Sequence, residues 1–185
     1  MILVDNAPSL NPTDQMTLAG WVKASGNTAN DYNNEGPFGK WSATNQYIMW
    51  TNVGGGLNYE FTVVTSGGRS DADAGSFVRD NEWHHIVGTF DGASKIYIDG
   101  VLKATGASQS GNINSGTAQF SVGDYQAGAG STYFAGTVDD VMLLNRSLSA
   151  FEINQLYMTS LTKFNATYWE LYVNQSNAST SGLVE

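Results

Sequence analysis

The sequence predicts an all-β domain, a two-sheet antiparallel sandwich with one short helix near its C-terminal end. Short apolar or alternating runs recur along the 185 residues, separated by turn signals that draw on 21 glycines. A single segment has helical periodicity. At this length the chain is long enough for one domain with a sizeable core and too short for two comfortable ones.

Period-two alternation predicts the strands in chain order. The first run, Met16–Ala24, places Leu18, Gly20 and Val22 on one face and Trp21 on the other. An Asp99-Gly100 pair between two apolar runs predicts a hairpin with a two-residue turn. The other strands are predicted over residues 46–51, 57–65, 83–90, 95–98, 101–104, 119–122 and 137–144.

One helix follows the last strand. Ser149 and Glu152 have the spacing of a capping box, and Ile153, Leu156 and Tyr157 form one helical stripe. We therefore divide the chain into a sandwich over residues 1–158 and a C-terminal extension over 159–185. The extension contains a strand-like run at 168–173, which is either an added edge strand or the start of a following domain.

Composition excludes several classes of partner. With 8 Lys+Arg against 17 Asp+Glu, the net charge is −9, which disfavours nucleic acid and anionic membranes. No apolar run is long enough for membrane insertion, and the absence of cysteine excludes disulfides and thiolate metal sites. The N-terminus lacks the features of a signal peptide, so we expect a segment of a larger multidomain protein.

Several motifs resemble one family. Residues 10–23, the runs at 83–92 and 96–100, and residues 134–149 are similar to the laminin-G-like, concanavalin A-like jelly roll of the pentraxin-like lectin/glucanase superfamily. The resemblance covers roughly residues 3–157. It implies an extracellular or cell-surface module that binds glycans or proteins and frequently carries a structural calcium ion. It does not imply one ligand, because the same sandwich hosts many functions.

Calcium is the cofactor that the resemblance implies. Strict alternation places Asp139 on the same face as Val141 and Leu143, where an unpaired carboxylate is costly. In the resembling family the first and last strands are neighbours, which implies metal ligation by Asp139 and, less directly, by Asp5, with carbonyls near Asn11 and Thr13 as helpers. The alternative is that backbone amides satisfy Asp139.

Aromatic and polar side chains on the predicted rim suit a sugar ligand, because flat rings stack on the apolar face of a pyranose. We predict Trp21 and Trp83 in the core. For the rim set, core packing is the alternative to ligand contact. The predicted ligand-binding residues are Trp41, Asn45, Tyr47, Trp50, Arg69 and Tyr125, with Asn52 as a further hydrogen-bonding group.

No catalytic residue is predicted. Glycoside hydrolysis needs paired carboxylates on one face, whereas the glutamates are isolated and Asp139 and Asp140, as neighbours, should face opposite ways. His84 and His85 should also face opposite ways, which favours a structural role for the pair. The acidic residues Asp71, Asp73 and Asp80 are predicted to lie in a solvated loop.

We therefore expect a non-catalytic, calcium-stabilised module that recognises a glycan or an extracellular protein ligand. The alternatives are a purely structural or self-assembling surface domain and a divergent glycoside hydrolase.

Overall fold

Two antiparallel sheets pack face to face in the computed structural model, which describes residues 1–25, 35–41, 46–52, 58–75, 80–124 and 133–164. This arrangement confirms the predicted fold class. The strands are β1 Ile2–Val4, β2 Met16–Ala24, β3 Glu35–Lys40, β4 Tyr47–Asn52, β5 Asn58–Thr65, β6 Gly68–Asp73, β7 His84–Phe90, β8 Ser94–Ile98, β9 Val101–Thr105, β10 Phe120–Val122 and β11 Gly136–Leu144.

The sheets have six and five strands. The six-stranded sheet has the order β1-β10-β3-β4-β5-β6, and the five-stranded sheet has the order β11-β2-β7-β8-β9. The predicted hairpin forms β8 and β9, and its turn residues Asp99 and Gly100 have φ values of 52° and 76°. These positive φ values are the ones that a type I′ turn requires at both central positions.

Inward-facing side chains of both sheets form the main core. Gly20 and Gly88 face this core, where a Cβ atom would lie 2.7 Å from the ring of Phe38 and 2.3 Å from the ring of Phe61, respectively. The two glycines of the five-stranded sheet therefore make room for two phenylalanines of the six-stranded sheet. This close approach lets the sheets pack without a void between them.

A helix, α1 Ala150–Phe164, covers the outer face of the five-stranded sheet. The capping box is confirmed: Ser149 N donates to Glu152 Oε2 at 2.8 Å, and Glu152 N donates to Ser149 Oγ at 3.3 Å. Ile153 is fully buried against the sheet. The helix runs past residue 158, and the predicted edge strand at 168–173 lies outside the described residues. The division at 158/159 stays a prediction.

Two predicted environments differ in the structure. Asp71 and Asp73 lie on edge strand β6 rather than in a loop, because β6 pairs in register with β5. The predicted burial of Trp21 is confirmed at 1% exposure, but the side chain lies beneath α1, where its ring centroid is 4.4 Å from that of Phe164. Trp83 is half-buried against the same phenylalanine at 4.9 Å. Both tryptophans thus pack under the helix and not between the sheets.

No helix in the described part of the chain has the length and apolar character needed to cross a bilayer.

Candidate functional site

Three of the predicted ligand-binding residues meet on the outer face of the six-stranded sheet, and we call them the Trp41–Trp50–Arg69 cluster. Trp41 follows β3, Trp50 lies on β4 and Arg69 lies on β6. The guanidinium carbon of Arg69 is 5.3 Å from the Trp50 ring centroid and 5.8 Å from that of Trp41. These distances are within the range of cation–π interactions.

Two carboxylates hold Arg69 in place. Its Nη2 is 3.1 Å from Glu60 Oε1, and its Nε is 2.6 Å from Asp71 Oδ1. Partial burial alone would lower the pKa of Arg69, but the hydrogen bonds and negative charges of Asp71 and Glu60 together raise it. Thr62 joins the network, because its hydroxyl accepts from Trp50 Nε1 at 3.0 Å and lies 2.6 Å from Asp71 Oδ1. Arg69 is therefore a fixed cation on a largely buried aromatic base.

The exposed fraction of each side chain determines which groups of this cluster a ligand can contact. Trp41 and Trp50 are 5% and 7% exposed, whereas the side chains of Arg69 and Asp71 are 42% and 38% exposed. The tryptophan rings thus support the guanidinium instead of presenting an open stacking surface. The polar groups of Arg69 and Asp71 can reach ligand hydroxyls without rearrangement.

The sequence did not single out Glu60, Thr62 and Asp71 as members of this site. The missing signal was the pairing of β5 with β6, which places Thr62 opposite Asp71 and Glu60 opposite Asp73. Alternate residues of β5 and β6 then face the same side of the sheet as Arg69. Recognition of β6 as a strand would have revealed the carboxylates.

Tyr47 is a correction to the predicted ligand-binding set. Its side chain is 1% exposed in the core between the sheets, and its hydroxyl donates to the carbonyl of Leu10 at 2.9 Å. Burial raises the pKa of Tyr47. The core-packing alternative is thus the correct one for this residue. Asn45, Tyr125 and the side chain of Asn52 lie outside the described residues.

Asp139 does not point inward as predicted. A β-bulge between Asp139 and Met142 breaks the alternation of β11, and Asp140 adopts a φ of 47°. Asp139 consequently pairs with Trp21 of β2, whose side chain lies under the helix, while Val141 still packs in the core. The Asp139 side chain is 45% exposed, so the expected cost of burying it does not arise.

Lys163 of α1 pairs with both aspartates. Its Nζ is 3.1 Å from Asp139 Oδ2 and 2.7 Å from Asp140 Oδ1. The two neighbours therefore reach the same cation, contrary to the expectation that they face opposite ways. The hydrogen bond from Lys163 is the main cause that lowers the pKa of Asp139, and the Asp140 N–H contributes as well.

The other predicted calcium ligands lie in a different sheet. Asp5 follows β1 of the six-stranded sheet, whereas Asp139 lies on β11 of the five-stranded sheet, so their strands are not neighbours. Asp5 Oδ1 accepts from Gln119 Nε2 at 2.8 Å. The Thr13 hydroxyl donates to Asp14 Oδ1 at 3.1 Å. These residues do not converge on one position.

The oxygens near Asn11 surround a lysine. Lys40 is fully buried, and its Nζ donates to Asn11 Oδ1 at 2.5 Å, Asn6 Oδ1 at 2.6 Å and the Gly116 carbonyl at 2.8 Å. The Leu10 carbonyl lies 3.5 Å away. An ammonium group thus lies among the oxygens around Asn11, where a carbonyl was predicted to help hold a metal ion.

The residues present do not fit the predicted calcium site. Within the described ranges, no group of three or more His, Asp or Glu side chains converges on one point. Calcium prefers six to eight oxygens with several carboxylates among them, and the Asn11 oxygens already serve Lys40. Calcium binding elsewhere in the chain stays a prediction.

A thermal unfolding experiment tests whether Asp139 contributes to a calcium site. We expect Asp139→Asn to leave the response of the melting curve to millimolar calcium and to excess chelator unchanged, because Lys163 already neutralises Asp139 and Lys40 already binds Asn11 Oδ1. Circular dichroism at 218 nm, with magnesium as the control ion, provides the measurement. A calcium-specific rise in melting temperature that Asp139→Asn removes would restore the predicted metal role.

The sequence matches one known protein family. Residues 2–154 match the model of the Concanavalin A-like lectin/glucanases superfamily, which is more than half of the chain. The chain belongs to this superfamily. No curated protein sequence shows significant similarity to the chain.

Solved structures of the superfamily fold resemble the chain at low sequence identity. The binding domain of Paraclostridial Mosquitocidal Protein 1 has a TM-score of 0.66 at 15% identity, over 86% of this chain and 41% of that one. A putative carbohydrate binding protein from Bacteroides ovatus gives 0.63 at 16%, over 83% and 43%. Domain 4 of AbnA, a GH43 extracellular arabinanase from Geobacillus stearothermophilus in complex with arabinotriose, gives 0.60 at 21%, over 80% and 69%.

These similarities establish the concanavalin A-like fold. The chain spans less than half the length of two of these three structures.

Proposed function

We propose that this domain is a non-catalytic module that binds a glycan on the outer face of its six-stranded sheet, within a larger secreted or cell-surface protein. The observation that carries the proposal is the Trp41–Trp50–Arg69 cluster, in which a cation fixed by Glu60 and Asp71 lies over two indole rings. Two structural relatives support the ligand class: a putative carbohydrate binding protein, and an arabinanase domain whose structure was solved in complex with arabinotriose.

The chemistry of the cluster suits a neutral polyhydroxy ligand. A guanidinium presents several N–H donors in one plane, and a neighbouring carboxylate accepts from hydroxyl groups, so Arg69 and Asp71 together match adjacent sugar hydroxyls. The indole rings restrict the motion of Arg69, which reduces the entropy lost when a ligand binds. Specificity at such sites comes from a few well-placed polar groups.

Binding is favoured over catalysis by the way the carboxylates are used. Glycoside hydrolysis needs one carboxyl group to donate a proton and a second to act as base or nucleophile. Glu60 and Asp71 both contact the same guanidinium, and Glu60 is only 4% exposed through its side chain. Neither group is placed to act on a bound sugar by itself.

Affinity electrophoresis with soluble arabinan, xylan and mixed-linkage glucan tests the proposal. We expect retention by at least one polysaccharide and a loss of about tenfold or more in affinity in Arg69→Ala, which removes charge-assisted hydrogen bonds. Arg146→Ala is the matched control, because Arg146 is an exposed arginine paired with Glu152 on the far side of the sandwich. Its binding should equal that of the wild type.

The same experiment discriminates the alternatives. Release of reducing sugar from any of these polysaccharides would overturn the non-catalytic proposal. Self-association without retention on any gel would favour the structural, self-assembling domain. Equal retention of the Arg69→Ala and Arg146→Ala variants would place the glycan site elsewhere.

A further inference from the structure

A second candidate site lies on the opposite side of the sandwich from the Trp41–Trp50–Arg69 cluster. A cavity of about 300 Å³ lies between the part of α1 around Leu156 and Ser160 and the outer face of the five-stranded sheet. This volume is at the lower end of the range found for small-molecule sites. Its lining residues are Ala19 and Trp21 of β2, His85 of β7, Asp140, Val141 and Met142 of β11, and Leu156 and Ser160 of α1.

Among these lining residues, His85 has a buried side-chain nitrogen without a hydrogen-bond partner. Its side chain is buried, with 2% of the residue exposed, and Nδ1 has no partner. Burial lowers the pKa of His85 to about 4, so the imidazole is neutral near pH 7. A buried polar atom without a partner costs free energy, so His85 is the lining side chain whose hydrogen bonding is least complete.

The other polar groups of the cavity are already engaged. Trp21 Nε1 donates to Ser160 Oγ at 3.0 Å, and that hydroxyl donates to the Leu156 carbonyl at 2.7 Å. Asp140 binds Lys163 at the rim. A lone water needs two to four polar partners to be held in a cavity. His85 offers too few for a water to be bound tightly.

The remaining walls are apolar and partly flat. The Trp21 ring lies 5.2 Å from the His85 ring, centroid to centroid, and the planes are inclined by 39°. Met142 and Leu156 pack on the adjoining apolar cluster, and the small side chain of Ala19 leaves space above the sheet. Aromatic rings pack favourably against such a combination of indole, thioether and aliphatic groups.

We propose that this cavity binds a small uncharged aromatic molecule with one hydroxyl group, which hydrogen-bonds to the imidazole of His85. A hydroxyl can donate to an imidazole nitrogen or accept from its N–H, so the ligand fits either tautomer of the neutral imidazole. A charged ligand is disfavoured because the cavity offers no unpaired countercharge. The site is separate from the proposed glycan face and does not depend on it.

Titration with 2-naphthol and 2-methylnaphthalene tests the proposal on the full chain, because the two probes differ by a hydroxyl against a methyl group. Binding is followed by NMR through the Trp21 indole N–H and the Met142 methyl signals. We expect both probes to shift these signals, with 2-naphthol binding about three- to tenfold more tightly, as one neutral hydrogen bond provides.

Two variants give the proposal a matched control. His85→Phe keeps an aromatic ring but removes both imidazole nitrogens, and should abolish the preference for 2-naphthol while both probes still bind. Thr89→Val removes another buried, unpartnered polar atom of β7 that does not line the cavity, and should leave the preference unchanged. Ala19→Leu should fill the cavity and prevent binding of both probes.

Three results would overturn the proposal. One is the absence of probe-induced shifts at Trp21 and Met142 at saturating 2-naphthol. Another is an unchanged preference in His85→Phe. The third is an equal loss of preference in Thr89→Val, which would attribute the effect to β7 in general and not to the cavity.

Discussion

Replacement of Lys40 by methionine is expected to lower the free energy of unfolding by about 1–3 kcal/mol, because it leaves partly buried oxygens without their cationic donor. Lys40 Nζ donates to Asn6, Asn11 and Gly116, which come from separate segments of the chain. Methionine has a similar length and keeps the apolar contacts of the stem. Urea denaturation of both proteins provides the measurement.

Lys95→Met is the matched control for this effect. Lys95 has a formal countercharge, since its Nζ lies 2.7 Å from Asp91 Oδ2, but its side chain is 29% exposed. Surface pairs of this kind contribute about 0–1 kcal/mol. We expect Lys95→Met to stay within that range. An equal loss of unfolding free energy in the two variants would show that the burial of Lys40 does not increase its contribution to stability.

The contrast between these lysines shows where the sequence could not predict the structure. The residues beside Lys40 contain no local signal for the oxygens of Asn6, Asn11 and Gly116, because even Asn11 is 29 residues away in sequence. A buried lysine is rare without partners, but the partners become visible only when the fold brings β3 beside the loop after β1. In the same long-range arrangement these oxygens accept hydrogen bonds from Lys40, so they do not form the predicted calcium site.

Local patterns predicted the regular parts of the fold well. The β8–β9 hairpin and the capping box of α1 both depend on residues within a few positions of one another. Local patterns do not predict strands β3 and β6, because the β-propensity of both segments is weak. The first contains Gly36 and Pro37, and the second is largely polar, so tertiary pairing outweighs their weak β-propensity.

The error at Asp139 arose from one extra residue. Alternation predicts the face of a side chain only while the strand is regular, and a bulge reverses the assignment on one side of it. The positive φ of Asp140 is a conformation that Asp tolerates better than most residues, but the sequence gives no firm sign that it occurs here. Consequently the carboxylate of Asp139 lies beside the helix.

Two adjacent histidines with opposite pKa shifts set the final expectation. His84 Nδ1 lies 2.7 Å from Asp99 Oδ2, and its Nε2 lies 3.2 Å from Asp80 Oδ2. The hydrogen bond with Asp99 is the main cause that raises the pKa of His84 above 6.5. Burial instead lowers the pKa of His85 to about 4, although the charge of Asp99 opposes this shift.

These shifts predict a maximum of stability near pH 6.5. The contribution of His84 is complete below its unfolded pKa of 6.5 and is lost as the pH rises through its higher native value. The contribution of His85 is complete above pH 6.5 and is lost as the pH falls toward 4, because the unfolded chain then binds a proton that the native protein excludes. From pH 7 to 5 this second effect amounts to about 2 kcal/mol.

Single variants separate the two arms of the profile when urea unfolding is measured from pH 5 to 9. His84→Gln should remove most of the decline above pH 6.5, and His85→Phe should remove most of the decline between pH 6.5 and 5. Glu152, whose pKa is lowered to about 2 by hydrogen bonds from Ser149 and Arg146, changes stability only below about pH 4.5, outside this window. A wild-type profile that is flat from pH 5 to 7 would show that His85 becomes protonated in the native protein, and would contradict its burial as a neutral group.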